Sequence, residues 1–196
     1  MMMLYLLLIP LLVSFLAPLF TPKKATYLSL IAFMLPFFAI LSCIFNGCAD
    51  IRLIAFSAPI GVLYLKLDVI SHAFGLTICI VSAMVALFAL PYMEHRFEEM
   101  ELSVESEFRK YIFLYDLYAA SMLWLVYSGN LILLYVFLEI ALITAFLLIY
   151  FYGYGNRQWV GQLYLIWSLI AGVLTLAGFI IIALHNNTLA LSSETI

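Results

Sequence analysis

The chain has 196 residues, of which 67% are hydrophobic and only 10% are charged, and its net charge is −3. Soluble domains are about 45–50% apolar and about 25% charged, so this composition excludes a soluble enzyme. It also excludes a nucleic-acid-binding protein, because no basic stripe is present to neutralise phosphates. An all-α integral membrane protein remains, and the length allows about six spans of about 20 residues each.

Polar and turn-forming residues divide the chain into six predicted membrane-spanning helices. We place them at residues 1–20, 27–45, 68–90, 111–127, 131–152 and 161–184 of a single membrane domain, 1–196. The first span is expected to be retained and not cleaved as a signal peptide. Its basic residues, Lys23 and Lys24, follow the apolar core instead of preceding it.

The connection between the second and third spans, residues 51–67, is apolar but contains Pro59 and Gly61. Pro and Gly this close together favour a turn between two extended arms, so we predict a hairpin at the membrane surface. Asp68 then provides the N-cap of the third span. Pro91 is predicted to end that span.

Residues 92–110 form the strongly polar stretch of the chain. Apolar residues recur in it at spacings of three and four, which predicts a short amphipathic surface helix. These residues are Phe97, Met100, Val104 and Phe108.

The three cysteines, Cys43, Cys48 and Cys79, are odd in number and have no Cys-x-x-Cys spacing. They lie in or beside apolar runs. This pattern favours buried thiols over a metal site or a disulfide framework.

The distribution of positive charge predicts the orientation in the membrane. Loops after the first, third and fifth spans hold six basic residues, Lys23, Lys24, Arg96, Arg109, Lys110 and Arg157, whereas the opposite side holds two, Arg52 and Lys66. The richer side is expected to face the cytoplasm. The chain is therefore predicted to be a multi-pass protein of the cell (inner) membrane with both termini on the non-cytoplasmic side.

Glu139 is the residue most indicative of function. Counted from Asn130 at about 1.5 Å per residue, it lies about 13 Å deep in a hydrocarbon layer about 30 Å thick. A bare carboxylate there costs several kcal/mol, so Glu139 must be protonated, paired or hydrated. Any of these suits a proton relay, and the alternative is a neutral hydrogen bond between helices.

Asp116 is the second candidate for proton translocation. It lies five residues into the fourth span, about 8 Å below the predicted cytoplasmic surface. A boundary carboxylate and an access-path residue are both compatible with that depth. Lys66, His72 and His185 lie near the outer ends of spans and are expected to be ordinary interfacial residues. Polar residues within spans fit a water path or plain helix contacts, and these are Ser121, Thr144, Gln162, Ser168 and Thr175.

Several motifs together resemble one family. The segment from Ser128 to Glu139 reads Ser-Gly-Asn-Leu-Ile-Leu-Leu-Tyr-Val-Phe-Leu-Glu. Weaker matches occur at residues 67–71, 92–93, 114–122 and 187–189. The stretch 68–191 resembles the N-terminal six-helix part of the antiporter-like subunits shared by complex I, Mrp-type cation/proton antiporters and membrane-bound hydrogenases.

The resemblance implies a role for Glu139 in proton transfer, since it matches the glutamate on the fifth helix of that family. There the glutamate pairs with a lysine on a seventh helix, which this sequence lacks. Asp116 and the apolar neighbours of Glu139 also depart from the family pattern. The implied protein is a split or truncated antiporter-like subunit that obtains a buried lysine from another membrane subunit of a large complex.

The leading hypothesis is thus a subunit of an ion-translocating respiratory or antiporter complex, moving H⁺ or exchanging Na⁺ for H⁺ and not catalytic alone. A non-transporting structural subunit of the same membrane arm is the alternative. A membrane enzyme such as a lipid-modifying transferase is disfavoured, because Arg52, Lys66, Asp68 and His72 form no recognisable catalytic set. No cofactor and no metal are expected, since nothing here suits an iron–sulfur cluster or a flavin.

Overall fold

The computed structural model describes residues 2–57, 60–186 and 188–191, and within them the chain forms six helices and one short hairpin. The elements are α1 (Met2–Leu16), α2 (Pro22–Asn46), β1 (Ile51–Ala55), β2 (Val62–Leu65), α3 (Val69–Glu99), α4 (Val104–Tyr127), α5 (Leu131–Tyr152) and α6 (Arg157–Asn186). A 3-10 turn, Ala17–Leu19, follows α1. The all-α membrane fold with about six spans is confirmed.

The hydropathy of each helix matches its position in the bundle. Helices α2, α3, α5 and α6 are long and apolar enough to cross a membrane, and α1 is apolar but shorter. Helix α4 is less apolar, with Glu105, Glu107 and Asp116 along its length. It is also the central helix, packing against α1, α2, α3 and α5. Because neighbouring helices cover most of its surface, α4 needs fewer apolar side chains than a lipid-facing helix.

The prediction of a separate surface helix in residues 92–110 was wrong. Helix α3 continues past Pro91 to Glu99, and α4 begins at Val104. A proline costs a helix one hydrogen bond and local distortion, so it does not end a helix that its neighbours support. Phe97 and Phe108 are both fully buried in one apolar cluster. The apolar periodicity therefore reflects two helix ends packed together, and not a stripe facing the membrane surface.

The connection after α2 forms an antiparallel hairpin. Ile51 is the register partner of Leu65, and Ala55 is the partner of Val62. The backbone N–H of Phe56 donates to the carbonyl of Gly61, whose φ of 71° is left-handed. The tip, residues 58–59, lies outside the described residues. Whether the hairpin rests on the membrane surface stays a prediction.

The turn before α5 joins the hairpin, the helix and the C-terminal segment. Asn130 is fully buried; its Oδ1 accepts from the N–H of Ile132 at 2.9 Å, and its Nδ2 donates to the carbonyl of Ile60 at 2.8 Å. Gly129 packs on the ring of Tyr64, which leaves no space for an added Cβ. The N–H of Leu131 donates to the carbonyl of Leu189 at 2.9 Å. Asn187, also singled out in the sequence, lies outside the described residues.

The expectation of buried thiols was wrong for two of the three cysteines. Cys43 and Cys48 form a disulfide with a Cα–Cα distance of 5.2 Å. Helix α2 ends at Asn46 and Gly47 turns the chain back with a φ of 73°, so the two sulfurs meet. Cys79 is buried and free, as expected. A spacing of five residues does not by itself reveal this approach, because a turn is needed between the two positions.

Asn130→Ala is expected to lower the free energy of unfolding by about 2 kcal/mol or more, because it removes a helix cap and leaves buried carbonyls without donors. The measurement is the thermal midpoint of the purified chain in detergent. The matched control is Asn46→Ala, since among the described residues the amide of Asn46 bonds to Ser42 on the exposed surface of its own helix. An Asn130→Ala midpoint equal to that of the control would contradict the role of this turn.

Candidate functional site

Glu139 lies on the side of α5 that faces α6. An added Cβ at Gly172 of α6 would stand 2.7 Å from its Oε1 and 3.8 Å from the hydroxyl of Tyr135. The absence of a side chain at Gly172 thus makes room for the carboxyl group. Tyr135 is one turn earlier on α5, on the same face of the helix as Glu139. The carboxyl of Glu139 is therefore located at the contact between α5 and α6.

The Glu139 side chain is only partly covered by the rest of the described chain. Glu139 is half-buried, and no ion pair joins it to a basic residue in the described part of the chain. A mostly apolar groove with three hydroxyl-bearing residues, Tyr164, Ser168 and Thr175, runs beside it along α5 and α6. Most large apolar side chains of α6 are exposed, including Trp167, Val173 and Ile181. Helices α5 and α6, between which Glu139 lies, are therefore less covered by the rest of the described chain than α2 and α3 are.

Asp116 occupies the opposite environment, inside the bundle. It is fully buried on α4, and Ser29 of α2 donates its hydroxyl to Oδ2 at 2.6 Å. Its Oδ1 is the one buried side-chain polar atom of the described residues that has no hydrogen-bond partner. Beside it, Phe33, Ala83 and Ala119 form a small apolar cluster. A carboxyl in such surroundings carries a large desolvation cost if it ionises unpaired.

The two candidate residues do not form one site. Asp116 is tied to Ser29 on α2, whereas Glu139 contacts α6. Several intramembrane hydroxyl groups are also occupied within their own helices: Thr144 donates to the carbonyl of Ile140, and Thr175 donates to the carbonyl of Ala171. A continuous polar path between the two carboxyl groups is thus not formed by these hydroxyl groups.

A buried polar pair at the N-terminal end of α3 was missed in the sequence. His72 is 5% exposed and its Nδ1 lies 3.1 Å from the hydroxyl of Tyr127. That hydroxyl packs on the backbone at Gly75, where an added Cβ would be 2.6 Å away. Lys66 pairs with Asp68 at 3.4 Å near the surface. The signal in the sequence was the spacing His-x-x-Gly, which places the imidazole and the small residue on one helix face.

Metal binding finds no support in the parts of the chain that are described. No group of three or more His, Cys, Asp or Glu side chains is close enough there to hold a metal ion. The arrangement provides two separate carboxyl groups inside the helical bundle. The carboxyl of Asp116 is enclosed, and that of Glu139 is half-buried.

Comparison with known proteins places this arrangement in context. No protein-family model matches the chain. A putative antiporter subunit, MnhA2, of Staphylococcus epidermidis is 34% identical over 125 residues, which is 63% of this chain and 15% of that protein. The chain therefore spans a small part of the length of that relative.

Two solved structures share the fold. A chain of the Mrp complex from Dietzia sp. matches with a TM-score of 0.70 and 18% identity, covering 97% of this chain and 20% of that chain. A chain of respiratory complex I from Thermus thermophilus matches with a TM-score of 0.70 and 22% identity, covering 96% of this chain and 38% of that chain. The similarity extends over the whole six-helix bundle.

Proposed function

We propose that this chain, a multi-pass membrane protein that resembles the antiporter-like subunits of Mrp and complex I-type assemblies, takes part in translocating H⁺, or in exchanging Na⁺ for H⁺. The observation that carries the proposal is the position of Glu139. Its carboxyl is near the middle of a membrane-spanning helix, between α5 and α6, in the space left by Gly172. An ionisable residue inside a membrane is a functional site by default.

The exposed apolar surface of α5 and α6 favours a partner subunit that completes the site around Glu139. Glu139 has no cation among the described residues, and the resemblance implies a buried lysine opposite it. The exposed apolar side chains of α5 and α6 suit a neighbouring membrane subunit. We propose that this neighbour contributes the lysine, so that loss and gain of a proton at Glu139 are coupled to a positive charge a few ångströms away.

The proposed orientation places the hairpin end outside the cytoplasm. Six of the eight basic residues lie at the opposite end. The disulfide between Cys43 and Cys48 lies at the hairpin end, and disulfides persist mainly in oxidising compartments. Two independent features thus favour a membrane orientation with both termini on the non-cytoplasmic side.

A structural subunit of the same membrane arm is the second candidate. The close fit at Gly172 favours it, because it accommodates an uncharged Glu139 as a plain contact between helices. In this case the chain seals and braces the assembly without exchanging protons.

Deletion and complementation in the native host separate the two candidates. Inverted membrane vesicles from a strain lacking the gene are expected to lose Na⁺- or H⁺-linked transport, and the wild-type chain is expected to restore it. Blue-native electrophoresis of the same membranes reports whether the complex assembles. Full transport by an assembled complex that lacks this chain would contradict the proposed function.

A further inference from the structure

A pocket unrelated to Glu139 lies at the hairpin end of the bundle. Its volume is about 380 Å³, and it is lined by α1, the end of α2, the disulfide loop, the start of β1 and Leu67, which lies two residues before α3. The inner wall is apolar and well buried, formed by Met3, Ala39, Cys43, Ile51 and Leu67.

The rim of this pocket carries one negative and one positive side chain. Asp50 and Arg52 both line it and both are exposed. The two residues are separated by one position along the chain, and both line the same pocket. One carboxylate oxygen of Asp50 accepts from the N–H of Leu67 at 2.7 Å, which fixes the orientation of that group. Arg52 forms no ion pair within the described residues.

The shape of the pocket is fixed by the fold and does not require a ligand. The disulfide between Cys43 and Cys48 fixes the loop that forms one wall. Ala39 lies seven residues before the end of α2, so the apolar wall descends about 10 Å along the helix axis. Charges at the rim and apolar surface below them match the order of groups in a phospholipid at a membrane interface.

We infer that this pocket binds a phospholipid whose headgroup carries both a phosphate and a primary ammonium, as in phosphatidylethanolamine. The guanidinium of Arg52 matches the phosphate, since it donates two parallel hydrogen bonds to adjacent oxygens. The free oxygen of Asp50 accepts from the ammonium, and an acyl chain covers the wall from Leu67 down to Ala39. A purely anionic headgroup is repelled by Asp50, and a trimethylammonium group has no N–H to donate.

Native mass spectrometry of the purified full chain in detergent tests this inference. The added probes are dioleoyl phosphatidylethanolamine, phosphatidylglycerol and phosphatidylcholine at equal concentration. The wild-type chain is expected to retain one phosphatidylethanolamine in preference to the other two. Arg52→Gln is expected to weaken that retention at least about tenfold, because the phosphate loses its charged donor. Asp50→Asn keeps the acceptor for Leu67 and is expected to abolish the preference for the ammonium headgroup.

Arg109→Gln is the matched control, because Arg109 lies at the opposite end of the bundle, where it pairs with Glu105. Its lipid retention is expected to equal that of the wild type. Arg52→Lys, which keeps the charge, is expected to retain an intermediate amount and shows that loss in Arg52→Gln does not reflect misfolding. Equal retention of the three lipids by the wild type, or undiminished phosphatidylethanolamine in Arg52→Gln, would overturn the inference.

Discussion

Glu139→Gln is expected to reduce ion transport by the assembled complex at least about tenfold, since a group that relays a proton contributes that much or more to the rate. Glutamine has nearly the same shape as glutamate, so the contact with Gly172 survives. It cannot bind or release a proton in the accessible pH range. Transport is measured as the quenching of a pH-sensitive dye in inverted vesicles, normalised to the amount of complex.

Glu98→Gln is the matched control for this substitution. Glu98 is exposed near the end of α3, outside the apolar part of the bundle, and the same chemical change there is expected to leave transport unaltered. Equal transport by wild-type and Glu139→Gln complexes would remove Glu139 from the mechanism and favour the structural subunit. Loss of assembly in Glu139→Gln would instead indicate that the ionised group is needed to bind the neighbouring subunit.

The number and order of helices followed from hydropathy because the membrane requires long apolar runs. Helix α5 occupies Leu131–Tyr152, bounded by Asn130 as its N-cap and by Gly153. Elsewhere, the apolar runs of the sequence indicated which part of a helix is inside the membrane. They did not indicate the residue at which the helix ends. Helices α3 and α4 both continue into the polar stretch between them, because their ends pack on each other through Phe97 and Phe108.

The candidate site was only partly readable from the sequence. The depth of Glu139 follows from its count along one helix, and needs no knowledge of the fold. The fit of its carboxyl against Gly172 depends on how α6 packs against α5. The bond between Ser29 and Asp116 joins residues 87 positions apart, and no periodic pattern in the sequence reports such a contact.

The motif before α5 shows why a resemblance and a physical role need separate arguments. The segment from Ser128 to Glu139 carried the family resemblance, with Glu139 as its functional end. Asn130 is accounted for by structure alone, since its side chain caps α5 and binds the hairpin. Residues that share one motif thus serve different purposes, one holding the fold and the other proposed for chemistry.

Asp116→Asn is expected to lower ion transport about tenfold if the buried carboxyl exchanges protons, as we propose for a residue on the access path. Asparagine still accepts from Ser29 but cannot titrate. The Oδ1 that has no partner is where an exchangeable proton or an ordered water fits, because native proteins rarely leave such an atom unsatisfied. The measurement is the same vesicle assay, with the thermal midpoint of each variant as a check on folding.

Ser29→Ala distinguishes a proton-exchanging Asp116 from a structural one. It removes the hydroxyl that donates to Oδ2 at 2.6 Å and leaves the carboxyl in place. Loss of that donor is expected to cost about 1–3 kcal/mol of stability. If Asp116 exchanges protons, Ser29→Ala retains more transport than Asp116→Asn although it is less stable. If the two variants lose stability in parallel and both transport at the wild-type rate, Asp116 is a buried structural carboxyl whose role is to hold α4 against α2.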